Sequence, residues 1–182
     1  MTLLGAFLKW DLPQLARRTV LKRLLRLTAE AFGSASPDVR GLNTEAILRT
    51  YACFTRDEVS RLGQDPARIA GVQERLYRSS SAMASTLGRL LGVSHWEAAL
   101  AVSRKFYSYI GIDMVSTPRG EITFRSCYFS RFYSHETCKV MSALDSGMIA
   151  GLAGEGDLTF SCRITEGAPC CRACFRYRRT ER

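Results

Sequence analysis

Ser134-His-Glu-Thr-Cys-Lys-Val-Met-Ser-Ala-Leu-Asp-Ser-Gly-Met-Ile-Ala-Gly-Leu152 is the stretch that decides how this chain folds. Cys138, Met141, Asp145, Met148 and Leu152 fall at i, i+3, i+7, i+10 and i+14. That spacing places them on one face of a 3.6-residue helix. The face is apolar except for Asp145. A lone buried carboxylate costs several kcal/mol unless it is paired or stays protonated. Something must therefore satisfy it. Six of the seven cysteines, all but Cys53, lie in the same half of the chain, which makes residues 126–175 the candidate functional region.

The segments around this helix set the fold class. Residues 112–116 and 121–129 read as strands joined by a turn at Thr117-Pro-Arg-Gly120. Residues 158–166 and 170–177 read as two more strands, with Gly167-Ala-Pro169 between them. Everything before Gly111 reads as helical. Asp11 is expected to cap a helix running to Phe32, with Pro13 in its first turn. A second helix is expected over residues 44–54, and a short one to Leu62 opening on the capping-box pattern of Thr55 and Glu58. A long helix follows Asp65-Pro66 and stops at Gly92, and Ser94 is expected to cap a helix over residues 95–110. The order predicts an α+β fold: a helical region, 1–110, then an α+β region, 111–182, in which one helix packs on a β-β-α-β-β antiparallel sheet. At 182 residues the two form one compact domain.

Strand alternation predicts which thiols meet the helix. Leu158, Phe160, Cys162 and Ile164 share a face, as do Cys171, Ala173, Phe175 and Tyr177. Cys162 and Cys171 are thus expected to point at the helix, and Cys170 and Cys174 away from it. The strand before the helix has two readings. Regular pleating turns Ile122, Phe124, Ser126 and Tyr128 inward and Cys127 outward, whereas a bulge near its end reverses this.

The formal net charge of +9 admits an anionic small molecule, an acidic partner, nucleic acid or an anionic membrane surface. The cations are spread along the chain, with concentrations over residues 17–26 and 172–182, and match no named nucleic-acid module. Sequence-specific nucleic-acid binding is not expected. No run of about 18 apolar residues occurs, so no transmembrane segment is expected. The first twelve residues lack a basic start and a small-residue cleavage site, and seven cysteines are an odd number for a disulfide scaffold. Both point to a cytoplasmic protein with reduced thiols, and a homo-oligomer is compatible with the sequence.

The candidate site follows from residue chemistry. Asp145 suits a general base or an orienting group. Cys127, Cys138 and Cys171 are the candidate thiols: each is either packing or a nucleophile whose pKa must be lowered. His135 is the nearest base in sequence, and a solvated position in the first helical turn is its expected place. Arg125 and Arg163 can each hold a ligand carboxylate bidentately. Tyr128 and Glu166 are the remaining candidate lining residues. No cofactor is expected. Cys171 and Cys174 form a CxxC without the second ligand pair a structural zinc site needs, and a strand turns their thiols to opposite faces. Cys127, Cys138 and Cys171 would be the better zinc ligands.

Taken together, Cys127, then Cys138 with Asp145 seven residues on, then Gly167 four residues before Cys171, resemble the C-terminal half of the L-2-amino-thiazoline-4-carboxylic acid hydrolase family. The resemblance covers about residues 104–175. It departs from the family pattern at Tyr128, where a proline is frequent, and at Arg172 and Ala173 after the last cysteine. It implies hydrolytic opening of a C–N bond in a small sulfur- or nitrogen-containing ring or amide. Cys127 or Cys138 would be the nucleophile, Asp145 would orient a base or activate water, and Arg163 or Arg125 would hold a substrate carboxylate. The tract of Glu166, Gly167 and Cys171 is also similar to the small-molecule-binding domain named after 4-vinyl reductase, which implies a non-catalytic ligand- or metal-binding sensor.

Overall fold

The computed structural model describes residues 2–11 and 13–177, with side chains to Arg176. Arg178, Arg179 and Arg182, part of the basic concentration at the end of the sequence, lie outside the described residues, as do Leu12 and the side chain of Tyr177.

Helices α1 (Leu3–Lys9), α2 (Gln14–Phe32), α3 (Thr44–Leu62), α4 (Pro66–Leu91) and α5 (Trp96–Tyr109) precede β1 (Ile112–Ser116) and β2 (Glu121–Cys127). A 3-10 turn, Tyr128–Arg131, leads into α6 (His135–Ala153), which is followed by β3 (Gly156–Cys162), a second 3-10 turn, Ile164–Glu166, and β4 (Cys171–Tyr177). The strands form one sheet in the order β1-β2-β4-β3, with every neighbouring pair antiparallel. The fold is the expected α+β arrangement. No described helix is long and apolar enough to cross a membrane.

The sheet is two-faced. Ile122, Phe124, Leu158, Cys171, Ala173 and Phe175 are buried, while Glu121, Asp157, Arg172 and Arg176 are exposed. Two helices rather than the expected one cover the buried face: α5 sets Tyr107 on Phe124 and Trp96 on Phe175, and α6 is fixed over β3 by Ser146, which accepts from the Leu158 amide at 2.9 Å. On its other side α6 meets α4 at very close range. A Cβ placed on Gly147 would come within 2.2 Å of both Ser80 Oγ and the Tyr77 carbonyl oxygen. One placed on Gly151 would come within 2.3 Å of the Ser81 carbonyl. Small residues face each other there: Ser80, Ala84 and Gly88 on α4, Gly147 and Gly151 on α6. Side-chain hydrogen bonds run the length of the seam. Gln73 donates to the Lys139 carbonyl at 3.3 Å, Ser85 to the Gly151 carbonyl at 3.0 Å, and Tyr77 to the Gly156 carbonyl at 3.0 Å.

Local chemistry alters several expected boundaries. Asp11 does not cap a helix; it pairs with Lys105 at 2.7 Å and Arg17 at 3.7 Å, and Pro13 occupies the cap position of α2. A separate short helix, α1, precedes it, capped by Thr2. Thr55 does not start a new helix. Its hydroxyl donates back to the carbonyls of Tyr51 at 2.9 Å and Ala52 at 3.2 Å, so α3 runs unbroken from an Asn43 cap. His95 rather than Ser94 caps α5, its Nδ1 accepting from the Ala98 amide at 3.3 Å. Helix α4 follows Asp65-Pro66 and stops at Gly92 as expected, with the Asp65 side chain capping its start and Gly92 left-handed at φ 72°.

Because the α4–α6 seam has no room for a methyl group, Gly147→Ala should destabilise the fold by about 2–3 kcal/mol through overpacking. Urea denaturation monitored by circular dichroism checks this, and an unchanged midpoint contradicts it.

Candidate functional site

Two β-bulges decide which thiols reach the helix. Between β1 and β2 the register steps from Asp113↔Ser126 to Met114↔Phe124, so Arg125 is the extra residue. A bulge reverses the alternation beyond it. Cys127 therefore turns inward opposite the buried Ile112, and Arg125 is exposed. Between β3 and β4 the register steps from Phe160↔Ala173 to Cys162↔Arg172. Cys162 thus shares the outer face with exposed Arg172, and its thiol lies 3.5 Å from the Cys170 carbonyl. The expectation that Cys162 faces the helix is corrected by this bulge. Cys171, opposite Phe124, faces inward as expected.

Cys127, Cys138, Asp145 and Cys171 line a single cavity of about 70 Å³. Its remaining wall is mostly apolar, with Leu24, Ile110, Ile112, Met141 and Ile164 among the contributors. Tyr51 and Tyr133 also line it, but their hydroxyls are engaged, with Thr28 at 3.2 Å and Thr55 at 2.7 Å. Asp145 has one hydrogen bond among the described residues: the Tyr107 hydroxyl donates to its Oδ1 at 2.9 Å. No cation lies within ion-pair distance of it among the described residues. Burial pushes the Asp145 carboxyl from 3.8 up to about 6, against the smaller opposing effects of the Tyr107 hydrogen bond and the Arg163 charge. Burial, together with the charge and hydrogen bond of Asp145, pushes the Tyr107 hydroxyl well above its ordinary range, so it remains a donor.

The thiols sit in the opposite electrostatic setting from that of a nucleophile. Burial raises Cys127 to about 12, with Asp145 adding to the shift and the amides of Phe129 and Ser130 only partly offsetting it. Burial also raises Cys138 and Cys171; hydrogen bonds from Thr165 and the Ile164 amide respectively oppose it, and nearby negative charge adds a smaller push upward. The Ile164 amide points at Cys171 Sγ at 3.3 Å. Position one turn into α6 does not lower Cys138, because the loss of hydration outweighs the helix dipole there.

A polar cluster adjoins the cavity. Arg163, with its side chain 13% exposed, donates to Ser142, a cavity-lining residue, at 3.3 Å and stands 3.9 Å from Glu166. Its guanidinium carbon lies 4.5 Å above the Phe160 ring, and its Nε is buried without a hydrogen-bond partner. Glu166 meets His135 Nδ1 at 3.0 Å, so His135 serves Glu166 and does not line the cavity. Tyr128 is also outside the lining: it packs on Phe129 and Phe132, with Arg131 over its ring. Arg125 is too far outward to reach the cavity. Among the described residues, no three His, Cys, Asp or Glu side chains are arranged to hold a metal ion.

Sequence reasoning missed Tyr107, the one partner of Asp145. The available signal was its place on the buried side of α5 beside Ser103 and Phe106, since a buried tyrosine hydroxyl needs a partner. Nothing in the local sequence pointed to Ser142 or Thr165. No protein-family model matches the chain, and no curated protein matches it significantly.

A folded carboxyl with a raised pKa holds its proton more tightly than the unfolded chain does. Its contribution favours folding at low pH and is lost as pH rises from 3.8 through about 6. The shift corresponds to about 3 kcal/mol of destabilisation at neutral pH. Asp145→Asn, which keeps an acceptor for Tyr107, should therefore be about 2–3 kcal/mol more stable than the parent at pH 7.5 and nearly equal to it at pH 4. Denaturant melts at both pH values check the sign, and equal stability at pH 7.5 contradicts it. Alkylation by iodoacetamide at pH 7.5 should be slow at Cys127, because reaction needs the thiolate. Labelling of Cys127 as fast as a free cysteine would contradict the raised pKa.

Proposed function

We propose that this chain binds a small ring compound in the Asp145 cavity and reads it through an N–H group donated to that carboxylate. The observation that carries the reading is Asp145 itself: a carboxyl facing an apolar cavity, with one neutral hydrogen bond and a pKa moved to about 6. Such a group destabilises the fold at neutral pH, and a bound cationic or N–H-bearing ligand supplies the missing partner. At about 70 Å³ the cavity has room for roughly two water-sized units, so it takes the N–H edge of a small ring while the rest of the ligand lies toward the adjoining Arg163 cluster. Arg163, with an unused Nε beside Ser142, is the group suited to an anionic substituent. An amidine-type ring carrying a carboxylate meets both requirements. The resemblance to the amino-thiazoline carboxylate hydrolases implies the same ligand chemistry.

A second reading is hydrolysis of that ligand, and the pKa of about 6 favours it, because it suits a general base near neutral pH. Asp145 would take a proton from water as its oxygen bonds to the ring C=N carbon. It would pass that proton to the ring nitrogen, then take the proton of the new hydroxyl and pass it to the same nitrogen as the C=O forms and the C–N bond breaks. The raised thiols support a neutral wall rather than the nucleophile the resemblance implies. Binding without turnover corresponds to the non-catalytic sensor that the 4-vinyl reductase resemblance implies.

Proton NMR of L-2-amino-thiazoline-4-carboxylate with the purified chain tests both. Saturable broadening of the ring signals is expected, lost in Asp145→Asn and weakened about tenfold or more in Arg163→Gln. Appearance of ring-opened product in the parent alone adds catalysis. No broadening and no product would refute the proposal.

A further inference from the structure

A second cavity, of about 260 Å³, lies among α1, α2, α4, α5 and α6 and shares no lining residue with the first. Phe7, Val20, Met83, Leu87, Phe106 and Met148 supply its apolar wall. Arg23 is the one charged residue in the lining. It is exposed, and no described residue gives it a hydrogen bond or an ion pair. Two more cations stand on another wall residue, Tyr109: the Arg17 guanidinium at 4.7 Å and Lys105 Nζ at 5.6 Å from the ring centroid. Leu90, also in the lining, is 67% exposed, so apolar surface continues outward from the cavity.

The space is a groove lined by half-buried and buried apolar side chains and open to solvent at Leu90, so an apolar chain laid in it would cover surface that water now reaches. At about 30 Å³ for each water- or methylene-sized unit, it has room for roughly nine. Its walls offer an alkyl chain dispersion contacts, and besides Arg23 the polar side chains in them are Tyr109 and Thr86, whose hydroxyl donates to the Ala82 carbonyl at 3.0 Å. The cation at its margin offers a carboxylate a charge-assisted pair. Arg17 and Lys105 are paired with Asp11, so Arg23 is the cation left to receive a head group, and a cationic amphiphile would meet its like charge.

We infer that this cavity binds a small amphipathic anion, an unbranched alkyl carboxylate whose chain lies among the apolar walls and whose head pairs with Arg23. The inference is independent of the Asp145 cavity.

Calorimetric titration of the full chain with octanoate, 1-octanol and octyltrimethylammonium tests it. Octanoate should bind at one site, octanol about tenfold or more weaker, and the cationic amphiphile not at all. Arg23→Gln, a surface change, should weaken octanoate to the level of octanol and leave octanol unaffected. Val20→Phe should fill the cavity and abolish octanoate binding, with Thr86→Phe as a second filling variant if Val20→Phe does not fold. Asp145→Asn should bind octanoate like the parent. Phosphatidylglycerol vesicles should not pull the chain down. Absence of saturable octanoate binding overturns the inference. So does binding insensitive to Arg23→Gln and to cavity filling, or loss of binding in Asp145→Asn. Capture by the vesicles without binding of free octanoate would assign the surface to a bilayer and overturn it equally.

Discussion

The seam between α4 and α6 is the constraint on which the rest of the structure depends. Gly147 and Gly151 let the two backbones approach until no methyl group fits between them. That contact, with two hydrogen bonds from α4 to α6 and a third from Tyr77 to the start of β3, fixes the position and rotation of α6. Rotation matters because one face of α6 must serve α4 while the face bearing Cys138, Met141 and Asp145 serves the sheet side. A helix turned by one residue would bring Leu144 or Ser146 where the carboxyl now stands. The apolar sheet then needs only to be two-faced, and α5 and α6 close it.

With α6 held this way, Asp145 enters an environment that opposes its charge. Tyr107 offsets part of the loss of hydration, and Arg163 acts from beyond ion-pair distance. The same dry surroundings hold the three thiols protonated. The cavity is thus acidic in character at a single point and otherwise apolar. Its chemistry centres on one proton at one carboxyl, not on sulfur. A carboxyl that weakens the fold at neutral pH, in a chain that could carry asparagine there, is the physical argument for a functional site.

Much of this was legible in the sequence. Periodicity gave the α6 face and the strand pattern, and Asp145 stood out because it broke that periodicity. The sequence groups Cys127, Cys138, Cys171 and Asp145, and they line one cavity. What pleating alone could not give was the effect of the bulges. The extra Arg125 brings Cys127 in and puts Arg125 itself out of reach, while the step at Ser161 takes Cys162 out. Bulges depend on cross-strand register, which is a property of two segments rather than one. Tyr128 went elsewhere because its own turn supplies its partners, Phe129, Arg131 and Phe132, whereas His135 stands half-exposed in the first turn of α6, as expected, beside Glu166. Capping signals misled at Asp11 and Thr55, where distant Lys105 and the preceding turn of α3 gave those side chains better partners.

The central claim is that Asp145, half-buried against the cavity, holds its proton well above the ordinary carboxyl range because burial strips most of the water from its carboxyl. Carbon-13 NMR titration of the Asp145 carboxyl in the folded protein reads this directly. The account predicts a midpoint near 6. A midpoint near that of a solvated aspartate, about 4, would show that water reaches the group, and the site described here would lose its basis.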